Sequence, residues 1–261
     1  MSRYYRSFLE ESTIPYTTRT TAFATATGIT DTTILGALNT FDLGLISNSL
    51  DTKMKAVYPF VGGTASTHKY NFFDPLDTNG AFRLQFNGGI THSSNGILFG
   101  GVNGYANTFL SPLTTLSLNN THVSLYSRTN NTTAVFDMQS TGAVNSPTLA
   151  INFGSTTSYY NVNQGAYSTV VDASSSGFRM ASRLSSTTEK LFKNNSLLST
   201  GNVNSYQLSN GVIDIGRWFN GSYYSDREYA FISIGNGLTD GEATTFYNLI
   251  QNMQTTLSRN V

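Results

Sequence analysis

The chain contains no cysteine, which excludes disulfides, thiolate zinc sites and cysteine nucleophiles and leaves the redox compartment open. Charge is scarce too. Fifteen Lys+Arg balance 15 Asp+Glu, and charged residues make up 11% of the sequence, less than half the share usual for a soluble domain. Without a Lys/Arg excess to neutralise phosphates, no nucleic-acid partner is expected. No apolar run approaches the ~18 residues of a membrane span, so no membrane insertion is expected either. The opening segment, with Arg3, Arg6, Glu10 and Glu11 among its first eleven residues, lacks the apolar core of a signal peptide. Such a chain is expected to be made in a cytoplasm. What it has instead is hydroxyls and amides: Ser, Thr and Asn supply roughly a third of the 261 residues. That length suffices for one large all-β domain, or a medium domain with an appendage.

Four regions follow from the patterning. Residues 1–20 carry Tyr4, Tyr5, Arg6, Phe8, Tyr16 and Arg19 without periodicity. They read as an arm that either frays or docks on another subunit, with Tyr4, Tyr5, Arg6 and Phe8 as candidate assembly residues. Residues 21–63 form a helical lead-in. Ile34, Leu38, Phe41 and Leu45 recur at helical spacing behind a cap at Thr30 or Asp31, and Leu50, Met54 and Val57 share a face before Pro59 stops the second segment. The spacing predicts a helical hairpin over 30–58. Residues 64–237 alternate apolar and polar residues in short runs, such as 81–86, 122–127 and 134–138, between Gly, Asn and Ser turns, which predicts an antiparallel β domain. Asn194-Asn195 and Asn220-Gly221 are its clearest hairpin signals. Residues 238–261 are a C-terminal helix, opened by a Thr239/Glu242 capping box and striped by Phe246, Leu249, Ile250, Met253 and Leu257. It should pack on the sandwich or on the lead-in.

The block Gly211–Arg217 followed by Arg227–Glu242 resembles the closing strands of laminin-G-like, concanavalin A-like jelly rolls. Leu191–Leu197 is similar to their Asn-Gly hairpin, with Asn195 where glycine is usual. The resemblance covers about residues 64–258. It implies a mainly β protein: a concanavalin A-like (laminin-G-like) antiparallel jelly-roll sandwich, here with an N-terminal helical hairpin and a C-terminal helix. A second stretch, Leu50–Asn71, with Phe82–Leu84 and Asn103–Thr108, is similar to predicted structural proteins of tailed bacteriophages. That similarity implies a virion component, such as a head fibre, decoration or tail protein, partnered by other virion proteins and by further copies of itself.

No catalytic residue emerges. Glycosidases on this fold need carboxylates two residues apart on one strand face, yet Asp214 lacks flanking glutamates, and Asp226-Arg227-Glu228 reads as a turn salt bridge. His68, His92 and His122 are far apart in sequence and form no metal signature, so each reads as a polar strand residue. No nucleophile elbow or phosphate loop is present. A non-enzymatic role is therefore expected, and a glycan-cleaving enzyme is the third choice after a virion part and an adhesin. Asp74, Asp77 and Asn79 offer oxygen ligands suited to Ca²⁺, a cofactor that laminin-G-like domains often bind, although Asp-Pro and Asn-Gly turns account for the same residues. The candidates for binding are aromatic. Trp218, Tyr223 and Tyr224 with Asp226, Tyr105 with Asn103, and Tyr159 with Tyr160 occupy three predicted loops, where rings could stack on a bacterial surface polysaccharide or simply cover the sandwich.

Overall fold

Two helices precede the sheets, and each starts at a side-chain cap. In the computed structural model, which describes residues 15–142 and 146–261, Thr17 Oγ1 accepts the Thr20 N–H at the start of α1 (Thr18–Thr27). Asp31 accepts from Thr33 and Ile34 at the start of α2 (Thr32–Ser47). These bonds satisfy donors that a first helical turn leaves free. Leu38, Phe41 and Leu45 of α2 are buried, as their spacing requires. The first turn of α1 occupies residues assigned above to the arm. It buries only Thr20 and Phe23, too sparse a stripe to be read from sequence. The arm candidates Tyr4, Tyr5, Arg6 and Phe8 lie outside the described residues.

The hairpin predicted over 30–58 is thus displaced: α1 and α2 form it, and the second half of that span is a strand, β1 (Met54–Tyr58). The helical reading failed for an identifiable reason. Leu50, Met54 and Val57 do share one buried environment, against the helices. A register irregularity between Met54 and Ala56 inserts the extra residue of a β-bulge. That offset gives a strand the three-residue spacing of a helix.

The strands make two antiparallel sheets. The inner one contains β1, β3 (Ile90–Ser93), β4 (Gly96–Phe99), β6 (Thr121–Ser127), β11 (Gly177–Arg183), β12 (Glu189–Lys193), β13 (Ser196–Gly201) and β15 (Glu228–Gly235). Its order is β13-β12-β11-β6-β15-β4-β3, with β1 also paired to β15. The outer one contains β2 (Gln85–Asn87), β5 (Tyr105–Asn107), β7 (Met138–Ser140), β8 (Thr148–Ala150), β9 (Thr157–Asn161), β10 (Ser168–Val171) and β14 (Ile213–Ile215), ordered β10-β9-β8-β7-β14-β5-β2. Short helices α3 (Ala65–His68) and α4 (Pro112–Thr115) lie in the connections, and α5 (Asp240–Thr256) closes the fold. The protein is the antiparallel jelly-roll sandwich that its closing motifs imply. Several local expectations shift: residues 79–81 are a 3₁₀ turn, β2 begins only at Gln85, and β7 begins at Met138. Asn194, at φ +52°, turns the β12–β13 hairpin as expected. Asn220-Gly221 makes a turn but no hairpin, because β14 and β15 belong to different sheets.

The result is three layers around two cores. Between the sheets lie Val123, Leu125, Met138, Leu149, Tyr160, Ile213 and Ile232, among others. Between the inner sheet and the helices, Phe246 of α5 meets Phe41, Phe178 and Phe231 at ring separations of 6.0–6.3 Å. The capping box of α5 is complete, with Thr239 and Glu242 each bonding the other's backbone N–H. Because both faces of the inner sheet are covered, β6 and β11 are buried at every position. Polar groups on them must therefore pair internally. Arg179 bonds Asp172 at 2.6 Å, Arg183 faces Glu189, and His122 contacts Ser233 and the Asn236 carbonyl.

Candidate functional site

The outer sheet turns one face to the inter-sheet core and the other away from it; the second face carries the site, although β7, β8 and β14 are buried at every position. Along β9, Tyr160 points into the inter-sheet core while its neighbour Tyr159 points outward, as strand alternation demands; along β7, Met138 points in and Gln139 out. The Gln139 amide donates to Thr148 Oγ1 (3.1 Å) and Tyr167 Oη (2.9 Å), and its oxygen accepts the Phe219 N–H (2.9 Å). One buried amide thus ties the sheet to the connection between β14 and β15.

That connection folds back beside the residues that lead into β7. Phe136 donates its N–H to the Tyr223 carbonyl (3.0 Å), Gly216 to the Asp137 carbonyl, and Trp218 to the Ser222 carbonyl. Gly216 adopts φ +86°, and a Cβ there would lie 2.7 Å from the Phe99 ring, so the chain can turn here only as glycine. Trp218 consequently stacks on Phe136, with centroids 5.6 Å apart and planes 11° from parallel. Tyr223 packs 5.2 Å from Trp218 and from Phe153, and Phe153 packs edge-on to Tyr159 at 5.8 Å. Phe136, Phe153, Tyr159, Tyr167, Trp218 and Tyr223 enclose a cleft of about 250 Å³. Phe136 is 6% exposed and Tyr223 44%, which grades the cleft from floor to rim. The Trp218 indole N–H, buried, has no hydrogen-bond partner. No lining residue is charged.

The structure brings together three of the sequence candidates, Trp218, Tyr223 and Tyr159, and separates the others. Tyr160 lies in the core with its hydroxyl on Ser199 (2.9 Å). Tyr105 lies beneath the Arg217 guanidinium, 3.5 Å from its ring centroid, and Asn103 caps the Gly89 N–H. Tyr224 does not line the cleft, and Asp226 accepts from the Asn131 amide (3.0 Å). Phe136, Phe153, Tyr167 and Gln139 escaped the sequence reading. Nothing local marks them, since they converge through strand pairing and loop closure.

The ionisable candidates are engaged elsewhere. Asp77 meets Lys69 at 2.5 Å and Arg83 at 3.6 Å, with the Lys69 hydrogen bond holding its carboxyl below the usual range. Asn79 opens a 3₁₀ turn and Asp74 bridges to Asn71. Among the described residues no group of three or more acidic, histidine or cysteine side chains is positioned to hold a metal. The triplet Asp226-Arg227-Glu228 forms no internal salt bridge. Instead Arg227 reaches Asp137 (2.8 Å), fully buried and joined by the Tyr229 hydroxyl, and Glu228 pairs with Arg128 (2.6 Å). Asp214 pairs with Arg217 at 2.6 Å, and burial raises its pKa. His68 and His92, distant in sequence, meet through their Nδ1 atoms at 3.0 Å, and burial pushes His68 down to about 3. A larger cleft of about 660 Å³ lies beside the helices. Its charged groups are spent: Asp31 caps α2, and Arg259 donates to Gln254 and to the carbonyls of Pro59, Phe60 and Ala230.

No protein-family model and no curated protein sequence matches this chain. Solved structures do. The ligand-binding domain of botulinum neurotoxin serotype D, in complex with N-acetylneuraminic acid, superposes with a TM-score of 0.52 at 10% identity, covering 77% of this chain and 52% of that one. The botulinum neurotoxin serotype D binding domain gives 0.50 at 10% identity, covering 77% and 53%. Domain 4 of AbnA, an extracellular arabinanase from Geobacillus stearothermophilus, in complex with arabinotriose, gives 0.46 at 13% identity, covering 74% and 98%. The chain spans about half the length of the neurotoxin domains, and at such identities the likeness is one of fold.

Proposed function

We propose that this chain is a non-enzymatic bacteriophage virion protein whose jelly roll adheres to a surface glycan through the aromatic cleft of the outer sheet. The observation that carries the binding half is the cleft itself. Six rings converge on the face of the outer sheet turned away from the core, grading from buried floor to exposed rim, with an unpartnered indole donor among them. Stacking of rings against the apolar faces of a sugar, with a few placed polar groups, is the usual chemistry of such a pocket. The sialic-acid complex of a neurotoxin domain with the same fold is consistent with this use. The virion half is supported by the similarity of Leu50–Asn71 to phage structural proteins. Asp214, Asp226 and Glu228, each held by a partner outside the cleft, support a binding role over cleavage.

Affinity electrophoresis in gels containing bacterial surface polysaccharides, with released reducing ends assayed on the same mixtures, tests the binding half. Retardation that is lost in Trp218→Ala, with no reducing ends, is expected. Unretarded migration in every polysaccharide would sink glycan adhesion, and release of reducing ends would sink the non-enzymatic assignment. Labelling purified virions with antibody to this chain tests the other half; absence of label from intact particles would remove it.

A further inference from the structure

The cleft also restricts the charge of what it can hold, and this deepens the glycan reading on which it rests. We infer that the site selects an uncharged sugar ring and rejects anionic ones such as uronates and sialic acids. A carboxylate brought against six aromatic rings loses water and needs a charged partner in return. No cation stands on the lining, whose donors are all neutral: the Trp218 indole N–H and the hydroxyls of Tyr159, Tyr167 and Tyr223. The cations nearest in the chain are committed: Arg217 is paired with Asp214 and lies over Tyr105, and Arg227 is buried on Asp137. The carboxylate next to Phe136 in the chain, Asp137, is bonded to Arg227, Tyr229 and the Ile151 N–H and does not line the cleft. It neither attracts a cation into the cleft nor leaves Arg227 free to attract an anion. The Tyr167 hydroxyl on the lining, and the Gln139 amide that donates to it, are neutral. A cleft of about 250 Å³ is smaller than drug-sized sites and suits a single ring. The fold neighbour that holds N-acetylneuraminic acid therefore shares the scaffold and differs in the chemistry of the bound sugar.

The test uses the full chain, whose only tryptophan is Trp218, so that intrinsic emission reports from the cleft itself. Neutral polysaccharides (a mannan, a galactan, a β-glucan) and anionic ones (polygalacturonate, alginate, poly-N-acetylneuraminic acid) are compared by affinity electrophoresis and by Trp218 emission at about 50 and 500 mM salt. Retardation by at least one neutral polysaccharide and by none of the anionic ones, with an emission change and less than a twofold dependence on salt, is expected. Retardation by an anionic polysaccharide, alone or beside neutral ones, or neutral binding without an emission change, overturns the charge selection or its location while leaving glycan adhesion standing. Retardation by none removes glycan adhesion and this inference with it.

Discussion

The molecule contains two aromatic clusters of similar size put to different ends. In the helix-side cluster, Phe23, Phe41, Phe72, Phe178, Phe231 and Phe246 are all 3% exposed or less, sealed between α1, α2, α5 and the inner sheet. In the outer cluster, Tyr223 and the Trp218 loop stand at the rim of an open cleft. Phenylalanine supplies the first almost alone, whereas tyrosine and tryptophan make up most of the second, and their polar tips suit a surface that is alternately wet and covered. Rings covered on all sides stabilise the fold. Rings left with one open face are available to a ligand.

The comparison is most exposed at Phe246. Phe246→Ala should cost about 3–5 kcal/mol, because a fully buried ring with four aromatic neighbours is lost and helix packing cannot close the void. Chemical denaturation measures this, and a cost near zero would mean that the helical layer is not a core. Asp137→Ala should be of similar size, about 3–5 kcal/mol, since it strands the Arg227 guanidinium in a dry site; Arg227→Met combined with Asp137→Leu should recover most of that loss.

Acidification comes next. Unfolded histidines titrate near 6.5, whereas burial lowers His68 to about 3 and His122 to about 4 and also lowers His92. Between pH 4 and 6.5 the unfolded chain takes up protons that the folded chain refuses, so stability falls as pH drops below 6.5. Burial raises Glu189 to about 7, and there the folded state keeps a proton that the unfolded state releases, offsetting one histidine. Asp214, also raised by burial, adds to that offset, and each net proton that the unfolded chain takes up counts for about 1.4 kcal/mol per pH unit. A Tm series from pH 7 to 4.5 reads it, and a flat profile would mean that the histidines are solvated.

The smallest effects on stability, and the largest on binding, belong to the outer cluster. Trp218→Ala should shift stability by about 1 kcal/mol, within the ordinary range for a partly buried residue outside the cores, while abolishing polysaccharide retardation. A loss as large as that of Phe246→Ala would make the outer cluster a second core and end the contrast. Removing residues 1–14, which leaves the Thr17 cap of α1 intact, should leave Tm unchanged and lower particle incorporation if the aromatic arm serves assembly.

How much of this was legible depended on distance along the chain. The Thr239/Glu242 box, the Asn194 turn and the stripe of α2 are interactions among residues within a few positions of one another, and they stand where the spacing puts them. β1 misled because a bulge copies helical spacing, and α1 was silent because a Thr-rich helix with one buried ring has no stripe. The site was half legible. Trp218 and Tyr223 share a loop, so aromatic content alone drew attention to them. Nothing near Phe136, Phe153 or Tyr167 in sequence distinguishes them from core aromatics such as Tyr160.

By itself the sequence determined the class of the molecule: an all-but-uncharged, cysteine-free β chain, with closing strands of jelly-roll type and a capped terminal helix, all of them properties of composition or of neighbours in the chain. Only the tertiary structure decided which aromatics face a core and which face outward. That choice depends on which strands pair and which sheet face a helix covers, and it turns on contacts between residues as far apart as Phe136 and Trp218.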